Sequence, residues 1–142
     1  MDAVSIQRLS HRLWRLRVPV LPSLLDLINF LVFNSHLHHQ TEIGRGTKCA
    51  YRGMSVLIHK RAVIGEMVSI GAHVVIGGRS GIERVPIIEN DVFIGPNSCI
   101  LGPITVGKGA IIGAGSVVIK DVPRYTTVAG VPAKILSTEK PK

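Results

Sequence analysis

Aromatic residues are scarce in this chain of 142 residues, making up 4% of it. Aromatic rings supply the surfaces on which proteins stack nucleic-acid bases, and no motif that enters a DNA or RNA groove is recognisable. We therefore expect no nucleic-acid partner. The low aromatic content also suits a thin aliphatic core better than a layered sandwich, and 46% hydrophobic residues suffice for one modest domain.

Cysteine is equally rare, since Cys49 and Cys99 are the only two. Two distant cysteines without CxxC spacing indicate buried thiols in a reducing compartment more than a disulfide framework. No secretory cleavage pattern is evident, so the sequence predicts a cytoplasmic location. Acidic residues are few as well, nine against seventeen basic ones, and the net charge of +8 suits an acidic membrane surface or a phosphate-bearing cofactor.

The chain does contain an internal repeat of six residues. From Ile58 to Val118 an aliphatic residue stands at every sixth position, often followed by glycine. This period matches neither a helix nor a flat strand, so each unit is one short strand plus a turn, and three units close a triangular coil. Residues eighteen apart should then stack at roughly the 4.8 Å interstrand spacing. The predicted inward ladders are Ile58–Ile76–Ile94–Ile112, Ile64–Ile82–Ile100–Val118 and Ile70–Ile88–Val106.

The repeat is interrupted in two places. Ile43 and Ile58 are fifteen residues apart, which is not a multiple of six, so the segment 51–55 must bulge out of register. The segment 77–86 preserves the six-residue spacing of the aliphatic residues, but its glycines and charges predict a protruding loop. In that case Ile82 would leave its ladder.

A basic, apolar segment precedes the repeats. Residues 5–17 predict an amphipathic helix that carries four arginines, and Pro19 and Pro22 follow it. The next apolar stretch, 24–33, is interrupted by Asp26 and Asn29 and is too short and too polar to span a bilayer. Two interpretations stay open: a cap on the prism or on a neighbouring subunit, and peripheral attachment to an anionic membrane, at its inner face.

Several motifs together resemble a known family, the hexapeptide-repeat acyltransferases, and within it the serine O-acetyltransferase-like branch. They are the repeats, the loop Gly-Gly-Arg-Ser-Gly at 77–81, Ile-Gly-Ala-Gly-Ser-Val-Val at 112–118 and Ala-Gly-Val-Pro-Ala-Lys at 129–134. The resemblance implies a mainly β fold, a left-handed parallel β-helix in a homotrimer, with acetyl-CoA as co-substrate between subunits and no metal. It divides the chain into an N-terminal helical segment (1–34), the β-helix acyltransferase domain (35–136) and a tail (137–142).

The resemblance also implies where acetyl-CoA would contact the chain. Glycines near residue 114 would let the pantetheine arm run close to the backbone, and basic side chains would meet the phosphates. Turn chemistry alone accounts for Gly113 and Gly115 equally well, so that interpretation stays open. The candidate cofactor-binding residues are Gly78, Arg79, Gly95, Gly113, Ala114, Gly115, Lys120, Arg124, Pro132 and Lys134.

The usual catalytic residues of the serine branch do not carry over. That branch has an Asp-His pair after its first Ile-Gly-Arg-Gly, where the histidine is the general base, and this chain has Ala50-Tyr51 there. A second histidine, before a proline, is replaced by Val85. His36 stands where the aspartate that orients the base is expected.

Acetyl transfer to a hydroxyl still needs a group that removes the hydroxyl proton, and imidazole is the favoured one. His59 is the first candidate, because it follows Ile58 directly after the first interruption. His73 is the second: Asp91 lies eighteen residues on and would orient its ring from the next coil, provided that the intervening loop is extruded. Either histidine is otherwise a solvated surface residue. Tyr51 either hydrogen-bonds the acceptor or packs under the bulge.

A cluster of His36, His38 and His39 precedes the repeats. It has no partner spacing typical of a metal site, so a role in the entry loop is favoured. Three functions follow from the sequence: an acetyl-CoA-dependent O-acetyltransferase acting on a small hydroxyl compound such as serine; the same transfer onto a sugar hydroxyl or amine in surface-polysaccharide assembly; and a non-catalytic trimeric scaffold.

Overall fold

The computed structural model describes residues 1–138, which form two helices and a coil of short strands. The helices are α1 (Ala3–Arg15) and α2 (Leu21–Phe33), and a 3₁₀ turn spans Ala50–Gly53. The strands are β1 (His36–Leu37), β2 (Glu42–Ile43), β3 (Lys48–Cys49), β4 (Leu57–Ile58), β5 (Val63–Ile64), β6 (Ser69–Ile70), β7 (Val75–Gly77), β8 (Ile87–Ile88), β9 (Phe93–Ile94), β10 (Cys99–Leu101), β11 (Thr105–Val106), β12 (Ile111–Ile112), β13 (Val117–Val118), β14 (Thr126–Ala129) and β15 (Lys134–Thr138). Of the predicted tail at 137–142, residues 139–142 lie outside the described range.

The strands form the three faces of a prism. Sheet 1 contains β1, β4, β7, β10 and β13; sheet 2 contains β2, β5, β8 and β11; sheet 3 contains β3, β6, β9, β12, β14 and β15. Neighbouring strands run parallel except β14 and β15, which are antiparallel. The predicted parallel β-helix of hexapeptide repeats, with a short helical segment before it, is confirmed. Its left hand stays an implication of the resemblance.

The inward ladders differ from the predicted ones across the 77–86 segment. Ile58 pairs with Ile76, eighteen residues on, as predicted, but Ile76 pairs with Ile100, which is twenty-four residues on. The reason is that residues 78–86 leave the coil as a loop, so this turn contains one extra hexad. Ile82 is 44% exposed and has left its ladder. The observed ladders are Leu37–Ile58–Ile76–Ile100–Val118, Ile43–Ile64–Ile88–Val106 and Cys49–Ile70–Ile94–Ile112–Val128.

The predicted bulge at 51–55 is the 3₁₀ turn and the residues after it. It adds three residues to the first coil, since Leu37 pairs with Ile58 at a spacing of twenty-one. Tyr51 and Arg52 both adopt left-handed backbone angles, with φ of 48° and 61°. Gly53 lies so close to α1 that a Cβ there would come 2.7 Å from the Cβ of Ala3. The bulge therefore supports the start of α1.

Helix α1 caps the first coil. The side chain of Asp2 accepts a hydrogen bond from the Ser5 backbone N–H at 2.8 Å, so the helix begins earlier than predicted. Ala3 and Val4 belong to the main hydrophobic core. Helix α2 has Pro22 in its first turn and ends at Asn34, whose backbone is left-handed. In residues 1–138, no helix has both the length and the hydropathy needed to cross a membrane.

The corners between sheets stack closely. We call them edge 1 (between sheets 1 and 2), edge 2 (between sheets 2 and 3) and edge 3 (between sheets 3 and 1). Gly95, on edge 3, follows the inward Ile94, and a Cβ on it would lie 2.6 Å from the backbone nitrogen of Ala114. Gly77, on edge 1, follows the inward Ile76 in the same way, but the nearest atom to its Cβ would be Leu101 Cδ2 at 3.6 Å.

These two glycines make a matched pair for a stability test. Gly95→Ala is expected to lower the free energy of unfolding by roughly 1–3 kcal/mol, because the methyl group meets backbone that cannot move away without shifting the coil. Gly77→Ala should change it by less than about 0.5 kcal/mol. Thermal unfolding followed by circular dichroism measures both. Equal melting temperatures for the two variants would contradict the close stacking on edge 3.

Candidate active site

A groove of about 530 Å³ lies over the outer face of sheet 1. Leu57 and Val75 line it from β4 and β7, and Phe30 of α2 lines it from the side. Three histidines line the same groove, His36 from β1 and His38 and His59 from two consecutive coils of edge 1. On the next coil of edge 1, Gly77 lines the groove where the 78–86 loop leaves. The predicted base thus lies in a concavity that combines apolar walls with imidazoles.

The ring of His59 has a defined protonation pattern. The backbone N–H of Arg61 donates to Nδ1 of His59 at 3.1 Å, so the neutral ring carries its proton on Nε2. Burial, followed by the nearby charges of Arg61 and Lys60, lowers the pKa of His59 below its ordinary value of 6.5, which keeps the ring neutral at pH 7. To accept a proton from a substrate, Nδ1 must first turn away from the Arg61 N–H.

His38 repeats this arrangement one coil below. The Gln40 backbone N–H donates to its Nδ1 at 3.1 Å. Burial is the largest cause that lowers the pKa of His38, and the neighbouring His39 adds to it. Both rings are therefore neutral at pH 7, and the positive charge lining this groove is that of Lys60.

His39 does not line the groove; it connects α2 to the coil. Its Nδ1 donates to Asp26 Oδ2 at 2.6 Å, and its backbone N–H donates to the same oxygen at 3.1 Å. Ser10 donates its hydroxyl to Asp26 Oδ1 at 3.0 Å. Asp26, His38 and His39 place ligand atoms within 4.8 Å of one another, a spacing that could hold a metal ion. The hydrogen bonds from His39 and Ser10 already occupy both oxygens of the half-buried Asp26 carboxylate, which fits the entry-loop role predicted for His39.

The predicted pairing of His73 with Asp91 is wrong. The extra hexad moves Asp91 to edge 2, where its backbone N–H donates to the carbonyl of Glu66 and its carboxylate lies 3.8 Å from Lys108 Nζ. His73 lies on edge 3, with Asn97 in the equivalent turn of the next coil. No carboxylate from the next coil therefore orients the ring of His73.

Tyr51 does not pack under the bulge, since its side chain is 78% exposed. It borders a second, smaller groove of about 380 Å³ on sheet 3, which Phe93, Pro96 and Gly71 also line. Its backbone is left-handed, and its side chain is exposed at edge 3. Of the two roles predicted for Tyr51, packing under the bulge is therefore wrong, and a hydrogen bond to the acceptor stays a prediction.

The candidate cofactor-binding residues occupy all three edges of the prism. Gly95 and the segment 113–115 stack on edge 3 in consecutive coils. Gly78, Arg79 and Lys120 lie at edge 1, and the Arg79 side chain packs over Gly102. Arg124 lies at edge 2, with Nε 3.5 Å from Glu89 Oε2, while Pro132 and Lys134 are located beyond β14. One chain alone therefore does not bring these residues into one site.

Another cavity, of about 550 Å³, separates α1 from sheet 2. Arg8, Arg12 and Arg45 line it and make it basic. The Arg8 guanidinium donates to the carbonyls of Gly44 and Thr47 at 2.9 and 3.1 Å, so it is already engaged in holding α1. None of the candidate catalytic or cofactor residues lines this cavity, and the groove over sheet 1 remains the candidate active site.

Comparison with known proteins gives a consistent picture of the coil. The family model "Bacterial transferase hexapeptide (six repeats)" matches residues 86–120, and "Hexapeptide repeat of succinyl-transferase" matches residues 67–88. These matches cover the second interruption and the coils on both sides of it. The part of the chain that matches hexapeptide-repeat families therefore spans residues 67–120.

Relatives of this hexapeptide-repeat chain include serine acetyltransferases. The enzyme of Synechococcus elongatus is 36% identical over 138 residues, which are 95% of this chain and 56% of that protein. The structure of Neisseria gonorrhoeae serine acetyltransferase in complex with serine is 37% identical, has a TM-score of 0.88, and is matched over 95% of this chain and 55% of that one. A serine acetyltransferase structure in complex with CoA is 36% identical, with a TM-score of 0.86, over 94% of this chain and 55% of that one. The chain spans about half the length of the curated relatives it matches.

Sequence reasoning did not find Asp26 as a partner of the entry loop. It marked Asp26 and Asn29 only as interruptions of an apolar stretch. Asn29 Nδ2 donates to the carbonyl of Ala3 at 3.0 Å, so both side chains bind α2 to its neighbours. The available signal was that two polar residues three apart fall on one face of an otherwise apolar helix.

Proposed function

We propose that this chain transfers the acetyl group of acetyl-CoA to the hydroxyl of a small acceptor, with serine as the favoured acceptor. The observation that carries the proposal is the similarity to serine acetyltransferases, which extends from the helices through every coil at 36% identity. Solved relatives in complex with serine and with CoA support the choice of both substrates. We also propose that the protein acts in the reducing environment of the cytoplasm and that the reaction uses no metal ion.

The proposal includes a homotrimer with acetyl-CoA between subunits. Outward-facing side chains on two sheets support such contacts, because Val63 and Ile87 on sheet 2 and Phe93 and Ile111 on sheet 3 are apolar and 36–50% exposed. A groove between edge 3 of one subunit and edge 1 of the next would combine the glycines at 113–115 with Arg79 and Lys120. Such a groove offers a close backbone for the pantetheine arm and positive charge for the phosphates.

His59 would act as the general base in this reaction. As the acceptor oxygen attacks the thioester carbonyl carbon, Nδ1 of His59 takes the hydroxyl proton. The carbon–sulfur bond then breaks, and the proton passes to the departing thiolate of coenzyme A. The lowered pKa of His59 supports this role, because the ring is neutral and able to accept a proton at pH 7.

A second candidate function is the acetylation of a sugar hydroxyl or amine. Two replacements favour this function. Tyr51 stands where the serine branch has its histidine base, and His36 stands where that branch has the aspartate that orients the base. Those changes alter the chemistry around the acceptor while leaving the glycine-rich coil unchanged. A trimeric scaffold without catalysis is the alternative of a different class.

Release of free thiol from acetyl-CoA tests these functions. The purified protein is mixed with acetyl-CoA and serine, and in parallel with a panel of nucleotide sugars and amino sugars. We expect thiol release with serine; release only with a sugar would transfer the proposal to the second function, and silence across the panel would favour the scaffold. Because burial raises the pKa of Cys49 to about 12, that thiol adds little to the signal, and a sample without acceptor corrects for Cys99.

A further inference from the structure

We propose that the helix pair docks on an anionic membrane surface through an apolar face on α2 and on the turn before it. We call this the hairpin face, and it consists of Leu16, Val20, Leu21, Leu24, Leu27 and Leu31. Each of these side chains is 39–79% exposed. The proposal adds a location to the proposed function and does not depend on it.

Helix α2 carries hydrogen-bonded polar side chains on its inner face and a row of exposed apolar side chains on its outer face. Its two hydrogen-bonding side chains that face inward are Asp26, bound to His39 and Ser10, and Asn29, bound to the carbonyl of Ala3. The outer face presents leucines together with Ile28, Phe30 and Val32, which are 36–64% exposed. A helix that faces water has the opposite arrangement. The exposed apolar side chains on the outer face of α2 therefore suit contact with the hydrocarbon region of a membrane.

Positive charge adjoins the hairpin face at the turn between α1 and α2. Arg15 and Arg17, which flank Leu16 in the sequence, are exposed, and neither forms an ion pair within residues 1–138. The two aspartates of this region are occupied, Asp2 as the cap of α1 and Asp26 by His39. Trp14, 41% exposed, adds a side chain suited to the headgroup region. Apolar side chains flanked by arginines are typical of segments that bind acidic lipid surfaces.

The same charges disfavour a second copy of the chain as the occupant. A twofold contact through the hairpin face would bring the arginines of both copies together without carboxylates to pair them. A bilayer with acidic headgroups instead neutralises them. With thirteen residues, α2 is about 20 Å long, so it would lie on the surface. Phe30 belongs to the outer face of α2 and also lines the His59 groove, so docking would bring that groove close to the bilayer.

Vesicle sedimentation of the full chain tests the proposal. We expect binding to vesicles of phosphatidylcholine with phosphatidylglycerol, weaker binding at high salt, and none to phosphatidylcholine alone. The variant Leu27→Asp/Leu31→Asp should weaken binding at least roughly tenfold. Ile82→Asp is the matched control, since Ile82 is exposed to a similar degree, 44% against 49% for Leu27, but lies in the 78–86 loop.

Charge is tested separately with Arg15→Gln/Arg17→Gln, which should also weaken binding about tenfold and keeps the test decisive if the aspartate variant does not fold. Circular dichroism checks the fold of each variant. The proposal is overturned if the unmodified chain does not bind the acidic vesicles, or if the Leu27/Leu31 variant binds as well as the control. If the unmodified chain does not bind vesicles and the Leu27/Leu31 variant forms a smaller oligomer than the unmodified chain, a second copy of the chain covers the hairpin face. That result also overturns the proposal.

Discussion

Replacing His59 by alanine is expected to lower the turnover of acetyl transfer on the order of 10²-fold or more, while the affinity for acetyl-CoA stays nearly unchanged. The physical reason is that the variant loses the group that takes the acceptor proton but keeps the segments proposed to hold the coenzyme. His59 lines the groove over sheet 1 with two further histidines, and its lowered pKa leaves the ring neutral at pH 7. Steady-state rates with and without saturating acceptor, together with a CoA titration, separate the two effects.

His73→Ala tests the second candidate base in the same assay. His73 does not line the groove over sheet 1, and no carboxylate from the next coil orients it. We expect a smaller loss of turnover than in His59→Ala. Near-normal turnover in His59→Ala, or a loss of equal or greater size in His73→Ala, would remove His59 from the role of base.

The dependence of the rate on pH provides a second readout of the same assignment. The neutral form of His59 is the active one, and burial lowers its pKa below 6.5. The value of kcat/KM should therefore be close to its plateau by about pH 7.5 and decrease as the pH falls through the lowered pKa. A rate that already declines between pH 8 and 7 on the acid side would indicate a different base.

Replacing Ile94 by alanine is expected to lower the free energy of unfolding by about 2–5 kcal/mol. Ile94 is fully buried between Ile70 and Ile112 in the ladder of sheet 3. The core of the prism is one side chain deep, so the neighbouring residues have little freedom to fill the cavity. Chemical or thermal unfolding followed by circular dichroism measures the loss.

Ile82→Ala is the control for this prediction. Both isoleucines fall on the six-residue repeat of the sequence, but Ile82 lies in the extruded loop and is 44% exposed, so we expect a change of less than about 0.5 kcal/mol. Equal losses for the two variants would mean that Ile82 stays in the core and that the loop does not leave the coil. The pair therefore tests the arrangement of the ladders directly.

The six-residue period predicted the β-helix because each coil repeats the same steric requirements. It could not fix the ladders, since a loop that adds six residues to one coil leaves the six-residue spacing of the aliphatic residues unchanged. Ile76 therefore pairs with Ile100, and the expected stacking of Ile76 on Ile94 does not occur. The proposed pairing of His73 with Asp91 was wrong for the same reason, because a spacing of eighteen is one coil only where no residues leave the coil.

The candidate site was predicted only in part. His59 was selected from its position after the first interruption, but its groove also contains Phe30, which comes from α2 almost thirty residues earlier in the chain. Contacts between distant segments have no periodic signal. The hydrogen bond from the Arg61 N–H to the ring of His59 is likewise invisible in a sequence pattern, because it depends on the conformation of one turn.

Product analysis tests the central claim most directly. The full chain is incubated with acetyl-CoA and serine, and mass spectrometry measures acetylated serine while free CoA is measured in parallel. The account predicts that both appear in equal amounts and that both are reduced on the order of 10²-fold in His59→Ala. Intact acetyl-CoA and unmodified acceptor, with serine and with every sugar of the panel, would contradict it.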